Sequence, residues 1–292
     1  MLLRAGNYNY RSIYFSDKIA SMSKPNILLT NDDGIRSPGL WAAAETLSRL
    51  GFVTVAAPRE QASAAGRSQP ATSNGLIHQE TVEVNDQSWQ VYAVGGTPAQ
   101  AVQHGILEIL AQKPDLVVSG INYGENVATG ITISGTVGAA MEAASMGIPA
   151  LAMSLETDKA HHLSYSTAVD FSVAAHFTAL FANLILERQL PPGVDLLKVD
   201  VPANATIETA WEWTHLSLQR YYVPTKPART SWDVPESVGY KVAMDFTSEP
   251  ETSDVYTVIR KHLVSVTPLT LDMTAHVDKK LLERFANPTS LA

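Results

Sequence analysis

The chain has 292 residues, 45% of them hydrophobic, enough for a packed core and for one large domain with an appendage. Lys plus Arg number 21 against 29 for Asp plus Glu, a net charge of −8 with no basic run; this argues against a nucleic-acid polymer as the main partner, because such binding rests on cationic side chains neutralising phosphates. The absence of cysteine excludes disulfides and thiolate metal sites, and no apolar run approaches the ~18 residues needed to span a bilayer, so no membrane partner is expected.

Residues 1–24 are polar and aromatic and lack the apolar core of a secretory signal. They read as a disordered extension, with Met22 a natural start just ahead of the first strand. With the cysteine-free composition this points to the cytoplasm. Ile27-Leu28-Leu29 is a short buried strand that stops at Asn31-Asp32-Asp33-Gly34. Two adjacent carboxylates at the end of a buried strand repel each other and lose hydration, so a positive partner is required. A divalent metal suits them, since hard cations prefer carboxylate and carbonyl oxygen. A helix follows from Pro38, with Trp41, Ala44, Leu47 and Leu50 on one face.

Residues 52–57 form a second strand, ended by Pro58. The loop of small polar residues at 59–74 starts at the same sheet edge as Asp32; in it Ser63 or Ser68 could offer a metal a hydroxyl and Arg67 could meet an anion. Alternating patches in 76–94 read as a β-hairpin, and Thr97-Pro98 announces a helix. Residues 116–119 are a third buried strand ending in Gly120-Ile121-Asn122, where Asn122 can offer a carbonyl oxygen. Ser134-Gly135-Thr136 reads as a helix entrance whose free N–H groups and hydroxyls suit a phosphate, although no Walker lysine follows. A strand at 150–154, a long helix over 164–188 and a strand at 196–201 come next. His161 and His162 stand just ahead of the long helix near the same sheet edge, where they could assist catalysis, although an adjacent pair in a polar loop reads first as solvated. From residue 206 the pattern changes to strands and turns rich in Trp, Tyr and Pro, with a late strand pair in 255–266 and a terminal helix in 277–286. The expected organisation is an α/β, Rossmann-like core over 25–205 with a mostly parallel sheet and helices on both faces, and a β-rich C-terminal oligomerisation arm over 206–292.

Asn31-Asp32-Asp33-Gly34-Ile35, Ser119-Gly120-Ile121-Asn122 and Ser134-Gly135-Thr136-Val137, in this order, resemble the SurE (stationary-phase survival protein) family. Ala57-Pro58 followed by Ser63, Gly96-Thr97-Pro98, and Val264 to Leu269 with Asp272 downstream extend the resemblance to about residues 25–272. It implies a metal-dependent nucleotidase that converts nucleoside monophosphates to nucleoside and phosphate, with broader phosphatase or exopolyphosphatase action within reach. It further implies one divalent ion (Mg²⁺ or Mn²⁺) on Asp32, Asp33, Ser63 and Asn122, phosphate at Ser134, Gly135 and Thr136, and a homodimer or homotetramer. Many members carry aspartates and a tyrosine where this chain has Ala128, Thr129, Gly130 and Ile133, a departure that bears on base selectivity. A non-catalytic, metal-dependent nucleotide sensor would use the same pocket and release no phosphate.

Overall fold

The computed structural model describes residues 24–85, 87–162, 165–243 and 248–286. All of the expected N-terminal extension except Lys24 lies outside these residues.

Strand β1 (Asn26–Thr30) lies beside β5 (Leu116–Tyr123) in parallel register, Ile27 opposite Leu116 and Thr30 opposite Ser119. On the far side of β1 come β2 (Phe52–Pro58), β4 (Gln87–Val94) and β3 (Ile77–Val84). Beyond β5 come β6 (Ala150–Leu155), β7 (Leu196–Val201), β11 (Val264–Leu269) and β8 (Trp211–Trp213), completing a nine-stranded sheet. The strands from β4 across to β7 run parallel, while β3 and β11 are antiparallel to β4 and β7. Of these, β1, β5 and β6 are largely apolar runs because both of their faces are covered. Ile27 and Leu29 pack with α1 (Pro38–Leu47) and α4 (Ser172–Arg188), while Leu28 packs on the opposite face with α2 (Pro98–His104) and α3 (Gly135–Ser145). The fold is α/β with a mostly parallel sheet, as the sequence indicates. The chain order reverses between β1 and β5. In an open parallel sheet that switch point leaves a crevice at the carboxyl ends of the strands, where ligands bind.

Three expectations are corrected. The helix expected over 164–188 starts only at Ser172, because the Asp170 carboxylate takes the Ser172 N–H at 2.8 Å and the preceding residues are drawn aside, the Tyr123 hydroxyl donating to the Ser166 carbonyl at 2.8 Å. The third strand runs on past Ser119 to Tyr123, with a register shift against β6 between Ser119 and Asn122. The strand pair expected in 255–266 is a helix, α5 (Asp254–Ile259), followed by the single strand β11. Its β-branched run suggests a strand, but the Ser253 hydroxyl caps the Tyr256 N–H at 3.1 Å and burial of Val255 and Val258 favours the helix.

In the C-terminal region β8 and β11 belong to the central sheet, whereas β9 (Tyr222–Thr225) and β10 (Gly239–Val242) form a separate antiparallel hairpin. The last described element is α6 (Lys279–Ala286), whose Leu281, Leu282 and Phe285 are exposed. No described helix is long and apolar enough to cross a membrane.

Candidate functional site

The carboxyl ends of β1 and β5 gather the acid pair. After Thr30 the chain turns sharply: Asn31 Oδ1 accepts the Gly34 N–H and Asn31 Nδ2 donates to the Gly34 carbonyl, both at 3.1 Å. Gly34 has φ +98°, and a Cβ there would sit 3.0 Å from the Tyr165 hydroxyl, so the turn is both left-handed and covered. Asp32 and Asp33 are buried, 4% and 1% exposed.

Each carboxylate is fixed by a different element. The Thr136 hydroxyl donates to Asp32 Oδ1 at 2.5 Å, and the backbone N–H groups of Gly135 and Thr136 also bond this carboxylate. The positive end of α3 therefore points at Asp32. Ser134 caps the same helix, its hydroxyl accepting the Val137 N–H at 3.0 Å. Asp33 Oδ2 accepts the Tyr123 N–H at 3.3 Å, and Oδ1 accepts from Gln61 Nε2 at 3.1 Å. Asn122 donates its amide hydrogens to the carbonyls of Tyr123 (3.1 Å) and Gly124 (2.7 Å), which leaves its side-chain oxygen as the acceptor. Ser63 is exposed on the loop after β2, and the neighbouring Ala62 N–H ties that loop to the Asp32 carbonyl at 2.7 Å.

Burial dominates the electrostatics of the acid pair. Burial raises the pKa of Asp32 against the bonds from Thr136 and Gly135. Burial, then the Asp32 charge, hold Asp33 well above the usual carboxylate range. No cationic side chain is among the main influences on either acid. The Tyr123 hydroxyl is pushed up to about 12 by burial and by the Asp33 charge. Among the described residues no group of three or more His, Asp or Glu side chains converges as a metal cluster. The sequence expectation instead adds the Asn122 amide oxygen and the Ser63 hydroxyl to the two carboxylates, an all-oxygen set of the kind a hard divalent ion takes.

Two sequence expectations change in character. Arg67 does not face the anion site; its Nε donates to buried Glu142 Oε2 at 2.6 Å, and Gln103 holds the other Glu142 oxygen at 2.8 Å, binding the loop to α2 and α3. His162 is not a solvated loop residue but is half buried and hydrogen-bonded. Nothing in the sequence marks Gln61, Tyr123 or Tyr165 as site residues. A side chain that crosses from one loop to another leaves no local pattern to read.

Glu125 stands on the segment between Asn122 and Ser134, buried beneath Tyr221 and Tyr222, and burial raises its pKa from 4.5 to about 7. The folded chain thus keeps a proton that the unfolded chain has lost, so stability falls as pH rises from about 4.5 through 7. Glu125→Gln removes this cost, at most on the order of 3 kcal/mol at pH 8. Urea melts of the metal-free protein at pH 5 and pH 8 check it: the variant should lose less stability between the two than the wild type.

The family model described as Survival protein SurE matches residues 27–223. A 5'-nucleotidase SurE of Thermococcus gammatolerans is 45% identical over 262 residues, covering 88% of this chain and 94% of that protein. A 5'-nucleotidase SurE of Methanocella arvoryzae is 42% identical over 269 residues, covering 88% and 96%. Among solved structures, the SurE protein from Aquifex aeolicus superposes with a TM-score of 0.70 at 30% identity, over 90% of this chain and 100% of that one.

Proposed function

Because the chain belongs to the SurE family, we propose that it is a metal-dependent 5'-nucleotidase that hydrolyses nucleoside monophosphates to nucleoside and phosphate. The observation that supports the site assignment is the buried Asp32 carboxylate held on the N-terminus of α3 next to buried Asp33. The N-terminus of α3 already holds the Asp32 carboxylate. A phosphate brought to Ser134, Gly135 and Thr136 would face that charge and the Asp33 charge together, an arrangement that only a shared cation makes favourable.

Asp32, Asp33, Asn122 and the Ser63 hydroxyl would hold one divalent ion, Mg²⁺ or Mn²⁺. When bound, such an ion supplies Lewis acidity and lowers the pKa of a coordinated water. The chain's own residues do the rest. Thr136 and the first N–H groups of α3 fix the Asp32 rotamer, and Tyr123 N–H with Gln61 fixes Asp33. Each Asp33 oxygen accepts one such bond and keeps a lone pair for the ion or its water. The Ser134 hydroxyl keeps its proton for a phosphate oxygen, whereas the N–H groups of Gly135 and Thr136 and the Thr136 hydroxyl, which the sequence suggests are free, are taken by Asp32 and would act on a phosphate only through the positive field of the helix end. Segment 124–132 and the residues around Tyr165 border this edge and would contact the nucleoside.

The exposed Trp232, Val234 and Val238 between β9 and β10 support a homodimer or homotetramer in which this hairpin, the strand pair of residues 206–292 outside the central sheet, supplies the contact. The cysteine-free composition supports the cytoplasm.

Release of phosphate from a panel of 5'- and 3'-nucleoside monophosphates, p-nitrophenyl phosphate and short polyphosphate tests the reading. Highest kcat/KM on 5'-nucleotides is expected; equal rates on every phosphomonoester would contradict it. Gly135→Ala gives a second check. A Cβ there would lie 2.7 Å from Asp32 Cβ and 2.8 Å from its Oδ2, so the acid must move. A displacement of that kind costs about 10²-fold in kcat, with circular dichroism unchanged.

A further inference from the structure

Gln61 joins two regions that packing alone gives no reason to connect. Its Nε2 donates to Asp33 Oδ1 at 3.1 Å and to the His162 carbonyl at 2.9 Å, so both amide hydrogens are used. The bond to Asp33 is shorter than the Tyr123 N–H bond at 3.3 Å on the other oxygen. Gln61 therefore contributes the closer of the two contacts that set this carboxylate's orientation.

The far end of the connection is also defined. His162 Nε2 lies 3.3 Å from the Thr157 carbonyl, which can only accept, so the ring proton sits on Nε2. Nδ1 then accepts from the Tyr240 hydroxyl at 2.9 Å. Tyr240 belongs to β10, and Lys159 donates to its carbonyl while lying 4.2 Å from its ring centroid. Tyr222 of β9 donates to the Glu125 carbonyl at 3.0 Å. The β9–β10 hairpin thus closes on segment 157–162, and that segment closes on Gln61.

We infer that Gln61 is a positioning residue for Asp33, and that through His162 it transmits the seating of the β9–β10 hairpin to the metal-binding acid. The inference rests on the metal-dependent reading above. An amide held at both ends cannot turn away when the ion arrives, so Asp33 is presented in one rotamer. Outer partners of this kind are worth 10–100-fold in metal affinity. Tyr240, one bond further out, acts only through the His162 carbonyl and has a smaller effect.

The test is titration of metal-stripped protein with Mn²⁺ alone, free Mn²⁺ being read by electron paramagnetic resonance, alongside kinetics on the same samples. Gln61→Leu keeps the bulk and loses both donors; it should bind Mn²⁺ about 10-fold more weakly. Its Mn²⁺ activation constant should rise in step, with the nucleotide KM at saturating Mn²⁺ unchanged. Tyr240→Phe should weaken Mn²⁺ binding about 2- to 5-fold, and the double variant should bind no more weakly than Gln61→Leu alone. Gln61→Ala, with the same expected result, serves if the leucine variant does not fold. Affinity of either Gln61 variant within 2-fold of wild type, in an enzyme that releases phosphate, overturns the positioning role and leaves the nucleotidase reading standing. Multiplicative effects in the double variant overturn the link to the hairpin. A wild type that neither binds Mn²⁺ nor releases phosphate overturns the nucleotidase reading, and this inference with it.

Discussion

Replacing Asp33 with Asn is expected to lower phosphate release by at least about 10³-fold while leaving the fold in place. The substitution removes one of two buried negative charges that the cation must offset, and the amide presents an N–H₂ where both existing partners, Gln61 and the Tyr123 N–H, are donors. The stability effect runs the other way. Burial and the Asp32 charge hold the Asp33 pKa well above its unfolded value near 3.8. The native state therefore retains a proton that the unfolded chain gives up, and the metal-free wild type loses stability as pH rises from about 3.8 through the raised value. Asp33→Asn removes that loss, so its metal-free melting temperature at pH 8 should equal or exceed that of the wild type. Mn²⁺ should raise the melting temperature of the wild type by selective binding to the native state, and leave the variant where it was. Thermal melts with and without Mn²⁺ read both effects. Equal stabilisation of the two proteins by Mn²⁺ would contradict the ligand assignment.

Lys198→Met is expected to destabilise the protein by about 3–5 kcal/mol, the cost of leaving buried charge without its partner. Lys198, Asp200 and Asp254 are all fully buried; Lys198 donates to Asp200 and, at 3.1 Å, to Asp254. The acids in turn hold backbone that would otherwise be loose at the sheet edge. Asp200 accepts the Asn126 N–H at 2.7 Å, and Asp254 accepts those of Ala128 and Ser217 at 2.9 Å each. Residues 126 and 128 lie between Asn122 and Ser134, so the lysine anchors the segment that leads from β5 to α3. Urea denaturation should show the loss, with partial recovery in Lys198→Met/Asp254→Asn. A loss below about 1 kcal/mol would contradict a network of this weight.

These two sites show what a sequence can and cannot reveal. The parallel core is legible because β1, β5 and β6 are largely apolar runs bounded by Gly, Pro and polar turns. The helix entrance at Ser134 is legible because its cap is local. The acid pair stands out because two carboxylates after an apolar strand have no local explanation. Lys198 and Asp200 carry a signal too, since residues two apart share one face of a strand; the third partner, Asp254, lies 56 residues beyond Lys198 and gives none. Gln61 is of the same kind, joined to residues 28 and 101 positions distant. The late helix α5 is misread because its β-branched residues suit a strand, and only the Ser253 cap and the buried face beneath Val255 and Val258 decide otherwise. The helix start at Ser172 depends on Asp170 and on the pull of Tyr123 on Ser166, one local and one distant contact.

The measurement that bears most directly on the account is phosphate release from a nucleoside 5'-monophosphate by protein stripped of metal with EDTA, before and after Mn²⁺ is restored, with Asp32→Asn in parallel. No release is expected from the stripped protein, full release on adding Mn²⁺, and none from the variant under either condition. Release that persists in EDTA, or that survives Asp32→Asn, would contradict the assignment of the acid pair as the metal-binding heart of the enzyme.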